Sequence, residues 1–287
     1  MGFAEHFVSA ADGTQLYVRD YAADRSGLVP IVCLPGLTRN AKDFETIAPA
    51  LAETRRVLAF DFRGRGRSGR ADPATYRPDQ EVADTLLALD QLGIERFAII
   101  GTSRGGIAAM VMAARALPRM AGVVFNDIGP RIDKAGLLRI RTYLGTDPQF
   151  SSWDEAVAAL KSSNPGFDTL SECEWLAFAR RVYREVNGVP RADYDPGLAQ
   201  NFPNVADIEA GKMPELWALL DMMADVPSLV LRGEHSDLLS ADIVAGMHQH
   251  HRRLQSVTVR ERGHVPFLDE PESLAAIAQW LAVVDAA

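Results

Sequence analysis

Ser103 has the surroundings of a covalent nucleophile. It lies in Gly101-Thr102-Ser103-Arg104-Gly105-Gly106, between the apolar run Phe97 to Ile100 and the alanine-rich stretch Ile107 to Leu117. The first reads as a buried strand and the second, by its spacing, as a helix. A strand that reverses into a helix within a few residues strains the turn residue, and glycines two before and two after it remove the Cβ atoms that would collide. The hydroxyl is then exposed at the carboxyl end of a sheet, with a helix N-terminus behind it to favour a developing oxyanion. Three fixed positions of this kind recur by chance in about one chain in ten of this length, so the partners must decide.

A serine hydroxyl needs a base poised near neutral pH. Of six histidines, His264 is best placed, because it follows the strand pattern Gln255 to Val259 through a short Arg262-Gly263 turn. The imidazole needs an acid to orient it. Asp237 follows the run Pro227 to Leu231 by a short loop and is expected to fill that role; Asp127, at the end of Ala121 to Asn126, is a rival, and Glu234 a weaker one. The oxyanion requires one backbone N–H after the nucleophile and one from the loop after an early strand. Arg104 and Leu37 fit, with Gly36 letting the backbone approach closely.

These residues need a scaffold, and the chain offers one. Strands are expected at Glu5 to Ser9 and Gln15 to Tyr21, joined by an Asp12-Gly13 turn, and at Pro30 to Leu34, Arg56 to Phe62 and Ala121 to Asn126. Helical spacing covers Lys42 to Glu53 and Pro78 to Leu92. Such alternation predicts a mostly parallel sheet with helices on both faces. From Gly129 to about Asp225 it stops: Gly136 to Tyr143, Trp153 to Lys161, Ser171 to Glu185 and Met213 to Met223 read as helices with no strand between them. Strand Pro227 to Leu231, helix Ile243 to His248, strand Gln255 to Val259 and helix Glu272 to Val284 then resume the pattern. The expectation is a core of residues 1–128 and 226–287, with 129–225 as an all-helical lid over the sheet end that carries Ser103.

Five segments resemble motifs of the α/β-hydrolase family, serine hydrolases with a Ser-His-Asp triad and a helical cap, and the resemblance spans almost the whole chain. They are Leu34-Pro35-Gly36-Leu37 for the oxyanion loop and Asp61-Phe62-Arg63-Gly64-Arg65-Gly66-Arg67-Ser68-Gly69 for a turn after a strand. The Ser103 elbow, Leu231 to Asp237 for the acid loop and Gly263-His264-Val265-Pro266-Phe267 for the histidine loop complete the set. The order Ser103, Asp237, His264 is the one that family uses. The turn assignment also accounts for the arginine run without nucleic acid. The resemblance implies that Ser103 attacks, His264 shuttles the proton, Asp237 orients the ring and the Leu37 and Arg104 N–H groups hold the oxyanion. It implies no cofactor and no metal. Serine at the elbow speaks against the dehalogenase and epoxide hydrolase relatives, which carry aspartate there.

Pro35 replaces the family's usual His, and Arg104 stands where Met, Gln, Leu or Trp is more common. Arg104 can bind a substrate carboxylate bidentately or pair with an acid such as Asp127, and the ion pair is expected. Arg104, Trp153, Trp175, Trp217 and Val265 are the pocket candidates, with Phe178, Met222 and Met223 also in view, although such lid residues are more often a lid's own core. His248, His250 and His251 cluster without an acid or cysteine at ligand spacing and read as a solvated helix end.

Composition bounds the rest. The 287 residues carry a formal net charge of −8, with 47% hydrophobic and 24% charged residues, which speaks against nucleic acid or an anionic membrane as main partner. Cys33 and Cys173 are read as free thiols of a reducing compartment. Met1 to Ser9 lacks the apolar core of a signal peptide and no stretch is long enough to span a bilayer, so a cytoplasmic location is expected. The expected activity is hydrolysis of a small-molecule carboxylic ester with water. Lactone hydrolysis, C–C bond hydrolysis and cofactor-free perhydrolysis are alternatives on the same triad, and a catalytically weak small-ligand receptor is the alternative from another class. Monomer and homodimer both stay open.

Overall fold

The computed structural model describes residues 2–287. Strands β1 (Ala4–Ser9) and β2 (Gln15–Tyr21) form an antiparallel hairpin. Then come β3 (Ile31–Leu34), the short helix α1 (Ile47–Leu51), β4 (Val57–Asp61), α2 (Pro78–Gln91), β5 (Phe97–Thr102), α3 (Arg104–Ala116) and β6 (Met120–Asn126). An insertion follows with α4 (Lys134–Tyr143), α5 (Trp153–Ser163), α6 (Glu172–Val182), β7 (Tyr183–Val186), β8 (Val189–Ala192), α7 (Val205–Glu209) and α8 (Trp217–Met222). The chain closes with β9 (Ser228–Gly233), α9 (Ala241–His250), β10 (Leu254–Val259) and α10 (Pro271–Asp285).

The strands join in one 8-stranded sheet of order β1-β2-β4-β3-β5-β6-β9-β10. All pairings from β4 to β10 are parallel, and β2 is antiparallel to both its neighbours. Strand alternation sends side chains to two cores. Val32 and Leu34 of β3 join one with Ala108, Ala109 and Met112 of α3 and Val82 of α2, while Ile31 and Cys33 join the other with Ile277 and Trp280 of α10. Each fully buried aliphatic side chain contributes about 1.5–3 kcal/mol, so helices cover both faces. The loops after β3, β5, β6, β9 and β10 all emerge at the carboxyl edge, under the insertion.

Three local expectations need correction. Lys42 to Glu53 is not one helix: a 3-10 turn, Ala41–Phe44, precedes α1. Pro49 has no N–H to donate and its ring would clash with the Glu45 carbonyl, so it fits only in the first turn of a new helix. The insertion is not all-helical either. The helix expected to reach Glu185 stops at Val182, and β7 and β8 form a hairpin across Asn187-Gly188, with φ of +52° and +81°. Two consecutive positive φ values make the tight turn that matches strand twist, and Asn-Gly suits it best. Finally, α8 packs on α3 and α9, and its Leu220 is wholly buried in the core between sheet and helices. The helix expected over Met213 to Met223 is thus confined to Trp217–Met222 and seated on that core.

Candidate active site

The turn between β5 and α3 holds Ser103 at φ +50° and ψ −109°, a strained region for a residue with a side chain. The close packing explains the flanking glycines. A Cβ on Gly101 would lie 2.7 Å from the Gly105 backbone, and one on Gly105 would overlap the Leu34 carbonyl oxygen. Ser103 Oγ is 2.9 Å from His264 Nε2, and His264 Nδ1 is 2.7 Å from Asp127 Oδ2. Three side chains from three sequence-distant loops thus form one hydrogen-bonded line.

The acid in that line is Asp127, not Asp237. Asp127 directly follows β6 and is wholly buried. Its Oδ1 accepts the Gly233 N–H at 2.8 Å, and its Oδ2 accepts the Ser236 hydroxyl at 2.6 Å besides facing His264. The loop after β9 therefore supports the carboxylate instead of supplying it. Asp237 is committed elsewhere. Its Oδ2 and Oδ1 take Arg139 Nε at 2.5 Å and Nη2 at 2.8 Å, and its carbonyl accepts the Gly136 N–H at 2.9 Å, so α4 holds both ends of the residue. Burial alone would raise the Asp237 carboxyl, but Arg139 outweighs it and holds it below the usual aspartate range. Glu234 accepts the Glu261 N–H and joins neither group.

Neither the Leu37 nor the Arg104 N–H donates to another described residue, and Leu37 and Ser103 line the same cavity. A buried carboxylate ties both loops together. Glu81, on α2 and wholly buried, accepts Arg104 Nε at 2.7 Å. Its Oε1 lies 2.8 Å from Arg65 Nη2, close enough for an ion pair though too misaligned for a hydrogen bond. Arg65 in turn donates through Nε to the Leu37 carbonyl at 2.8 Å. Burial pushes Arg65 down to about 10, and its opposing effect on Glu81 is outweighed by the two arginines, which hold that carboxyl low. The expected ion pair of Arg104 is thus real, but its partner is Glu81 rather than Asp127. The arginine run is structural as well: Arg63 is wholly buried and bonded to Asp84, Asp12 and Thr75.

Above Ser103 and His264 lies a cavity of about 310 Å³. Leu37, Ile140, Phe150, Leu160, Phe178 and Val182 are among its apolar walls, and Val265 also lines it. Four other pocket candidates do not. Arg104 turns away to Glu81. Trp153 bonds Glu185 and lies under the Arg180 guanidinium, and Trp175 packs with Phe167 and Phe178 in a small core of their own. Trp217 packs against His250 beside Gly246, outside the cavity lining. Met222 is exposed and Met223 is buried in the core. The sequence reading passed over the polar part of the lining, Arg39, Arg139, Arg181, Tyr143, Tyr183 and Tyr194. Arginines and tyrosines in amphipathic lid helices carry no signal of which face turns inward. His248 and His250 bond Ser256 and Asp221, and among the described residues no group of histidine, cysteine and acid could hold a metal.

Comparison with known proteins agrees with this architecture. The chain is 32% identical over 256 residues to a 3-hydroxybutyrate-oligomer hydrolase of Cupriavidus necator, covering 87% of each chain. It is 23% identical over 255 residues to an esterase of Mycobacterium tuberculosis, covering 87% of this chain and 81% of that one. A crystal structure of an alpha/beta hydrolase from Novosphingobium aromaticivorans superposes with a TM-score of 0.90 at 41% identity, over 99% of both chains. Among the described residues no helix is long and apolar enough to cross a membrane. The family model of the alpha/beta hydrolase fold matches residues 29–271, and this chain belongs to that family.

Proposed function

We propose that this protein hydrolyses a small-molecule carboxylic ester through an acyl-enzyme on Ser103. The observation that carries the reading is the line Ser103 Oγ, His264 Nε2, His264 Nδ1, Asp127 Oδ2, with spacings of 2.9 and 2.7 Å, whose Ser103 and His264 line a mostly apolar cavity. Asp127 keeps the proton on Nδ1, which leaves Nε2 to accept the Ser103 proton as Oγ attacks the carbonyl carbon. The oxyanion is held by the Leu37 and Arg104 N–H groups, neither of which donates to another described residue. His264 then gives the proton to the leaving alcohol, and water repeats the sequence to release the acid. The Asp127 charge stabilises the transient imidazolium, and its other hydrogen bonds hold it in place without competing for the ring. Oligomers of 3-hydroxybutyrate, the substrate in the name of the Cupriavidus relative, are short linear esters and the first class to try.

The test is turnover of such an oligoester and of p-nitrophenyl esters by the wild type and by Ser103→Ala. The reading expects wild-type kcat at least ~10³-fold above the variant. A fluorophosphonate probe should label the wild type at Ser103. Equal turnover by both proteins, or labelling at another residue, overturns it.

A further inference from the structure

Three arginines line the cavity, and two are already paired. Arg39 is held by both oxygens of Asp43, and Arg139 by both oxygens of Asp237. Arg181, in the last turn of α6, forms no ion pair among the described residues, and its buried Nε has no acceptor. Burial pushes the guanidinium below its ordinary range. Of the acids whose field reaches it, Asp43 is committed to Arg39 and Glu45 to Arg19, while Asp269 is exposed and makes no ion pair with it. An arginine keeps its charge even so, and the cavity wall holds one cation with no bonded partner among the described residues. The C-terminal end of α6 offsets only part of that charge.

The guanidinium is also held in place. Its carbon lies 4.7 Å from the centroid of the Phe267 ring, and Phe267 is the third residue after His264, on the same loop. Phe267 is in turn stacked on Phe167, with centroids 5.2 Å apart. A guanidinium lying over a ring keeps its in-plane N–H edges for a planar anion, and a carboxylate matches that fork. A neutral ligand would fill the cavity and leave the cation unpaired and further desolvated.

We propose that Arg181 is a carboxylate anchor, and that the substrates are anionic esters whose free carboxylate docks on this guanidinium while the ester carbonyl lies at Ser103. The proposal rests on the ester-hydrolase reading and narrows its substrate class. A linear oligoester of a hydroxy acid meets the requirement by its chemistry, because every such chain ends in a carboxylate.

The experiment compares the linear dimer of 3-hydroxybutyrate with the same dimer capped as a terminal carboxamide, following cleavage of the internal ester by chromatography. Wild type should prefer the acid at least tenfold in kcat/KM. Arg181→Gln should reduce that preference by about 10- to 100-fold, mostly through KM, the size expected for one charge-assisted pair. Arg181→Lys should retain part of the preference, and Arg180→Gln, which removes a neighbouring exposed charge, should retain it. Equal rates in the wild type, survival of the preference in Arg181→Gln, or its equal loss in Arg180→Gln overturns the anchor. Calorimetric titration of the dimer into Ser103→Ala, with and without Arg181→Gln, reads the anchor apart from turnover. At least tenfold weaker binding in the double variant supports it even if no ester is cleaved, and equal binding overturns it.

Discussion

Asp127 and Asp237 stand at the carboxyl ends of adjacent strands, β6 and β9, on loops that touch through Ser236 and Gly233. One faces a histidine and the other an arginine. Asp127 is wholly buried and accepts only neutral donors besides the His264 ring, so no cation competes with that ring for its charge. Asp237 faces Arg139, a permanent cation on α4. Arg139 binds both of its oxygens. The difference shows that strand-end position creates a set of candidate acids, and that the choice among them is made by which side chain each can avoid.

The largest expected effect separates the two acids directly. Asp127→Asn should lower kcat about 10³- to 10⁴-fold while the protein stays folded, since it favours the wrong ring tautomer. Asp237→Asn should leave kcat/KM within about threefold. Comparable losses in both variants would break the comparison. A third acid sharpens it. Glu81 faces two arginines and no histidine, so Glu81→Gln should cost about 3–5 kcal/mol of unfolding free energy, through uncompensated buried cations. Because Arg65 and Arg104 tie together the two loops proposed to hold the oxyanion, kcat should also fall about tenfold with KM little changed. A change confined to KM would separate Glu81 from those loops. The smallest effect concerns the lid. The Asp237 carboxyl is depressed in the fold, so its contribution to stability is present above the ordinary aspartate range and is lost as pH falls through the depressed value. The urea-unfolding difference between wild type and Asp237→Asn should shrink from about 1–3 kcal/mol at pH 7 as the pH approaches 3. A difference that grows on acidification would reverse the assigned role of Arg139.

Much of this arrangement was legible in the residues. Period-2 and period-3.6 patterns located the strands and most helices of the core, because burial on both faces of the sheet demands continuous apolar runs such as Ile31 to Leu34. Gly101 and Gly105 marked Ser103, and the Arg262-Gly263 turn marked His264, because those sites depend on short-range geometry. Asp127 was less legible than Asp237. The discriminating contact, Arg139 to Asp237, joins residues 98 apart in the chain, and no local pattern reports it. The β7–β8 hairpin was written in Asn187-Gly188, but the helical spacing upstream of it masked the turn. The cavity wall was the least legible part. Trp175 and Arg181 sit within two turns of each other on α6, yet one packs into the lid core and the other faces the cavity, a matter of helix rotation that only tertiary packing sets.

The Glu81 junction restricts how this protein can change. Residue 104 adjoins the nucleophile and is a natural target for reshaping the elbow, but a lone apolar replacement there strands Glu81 with half its compensation. Replacing Glu81 alone strands two cations, and replacing Arg65 alone also releases the Leu37 carbonyl. The three positions therefore behave as a single unit of variation. Single substitutions should each be harmful, whereas a joint apolar replacement of similar volume can recover stability. Libraries that vary residue 104 by itself will undersample the working sequences, and those that vary 65, 81 and 104 together will reach them.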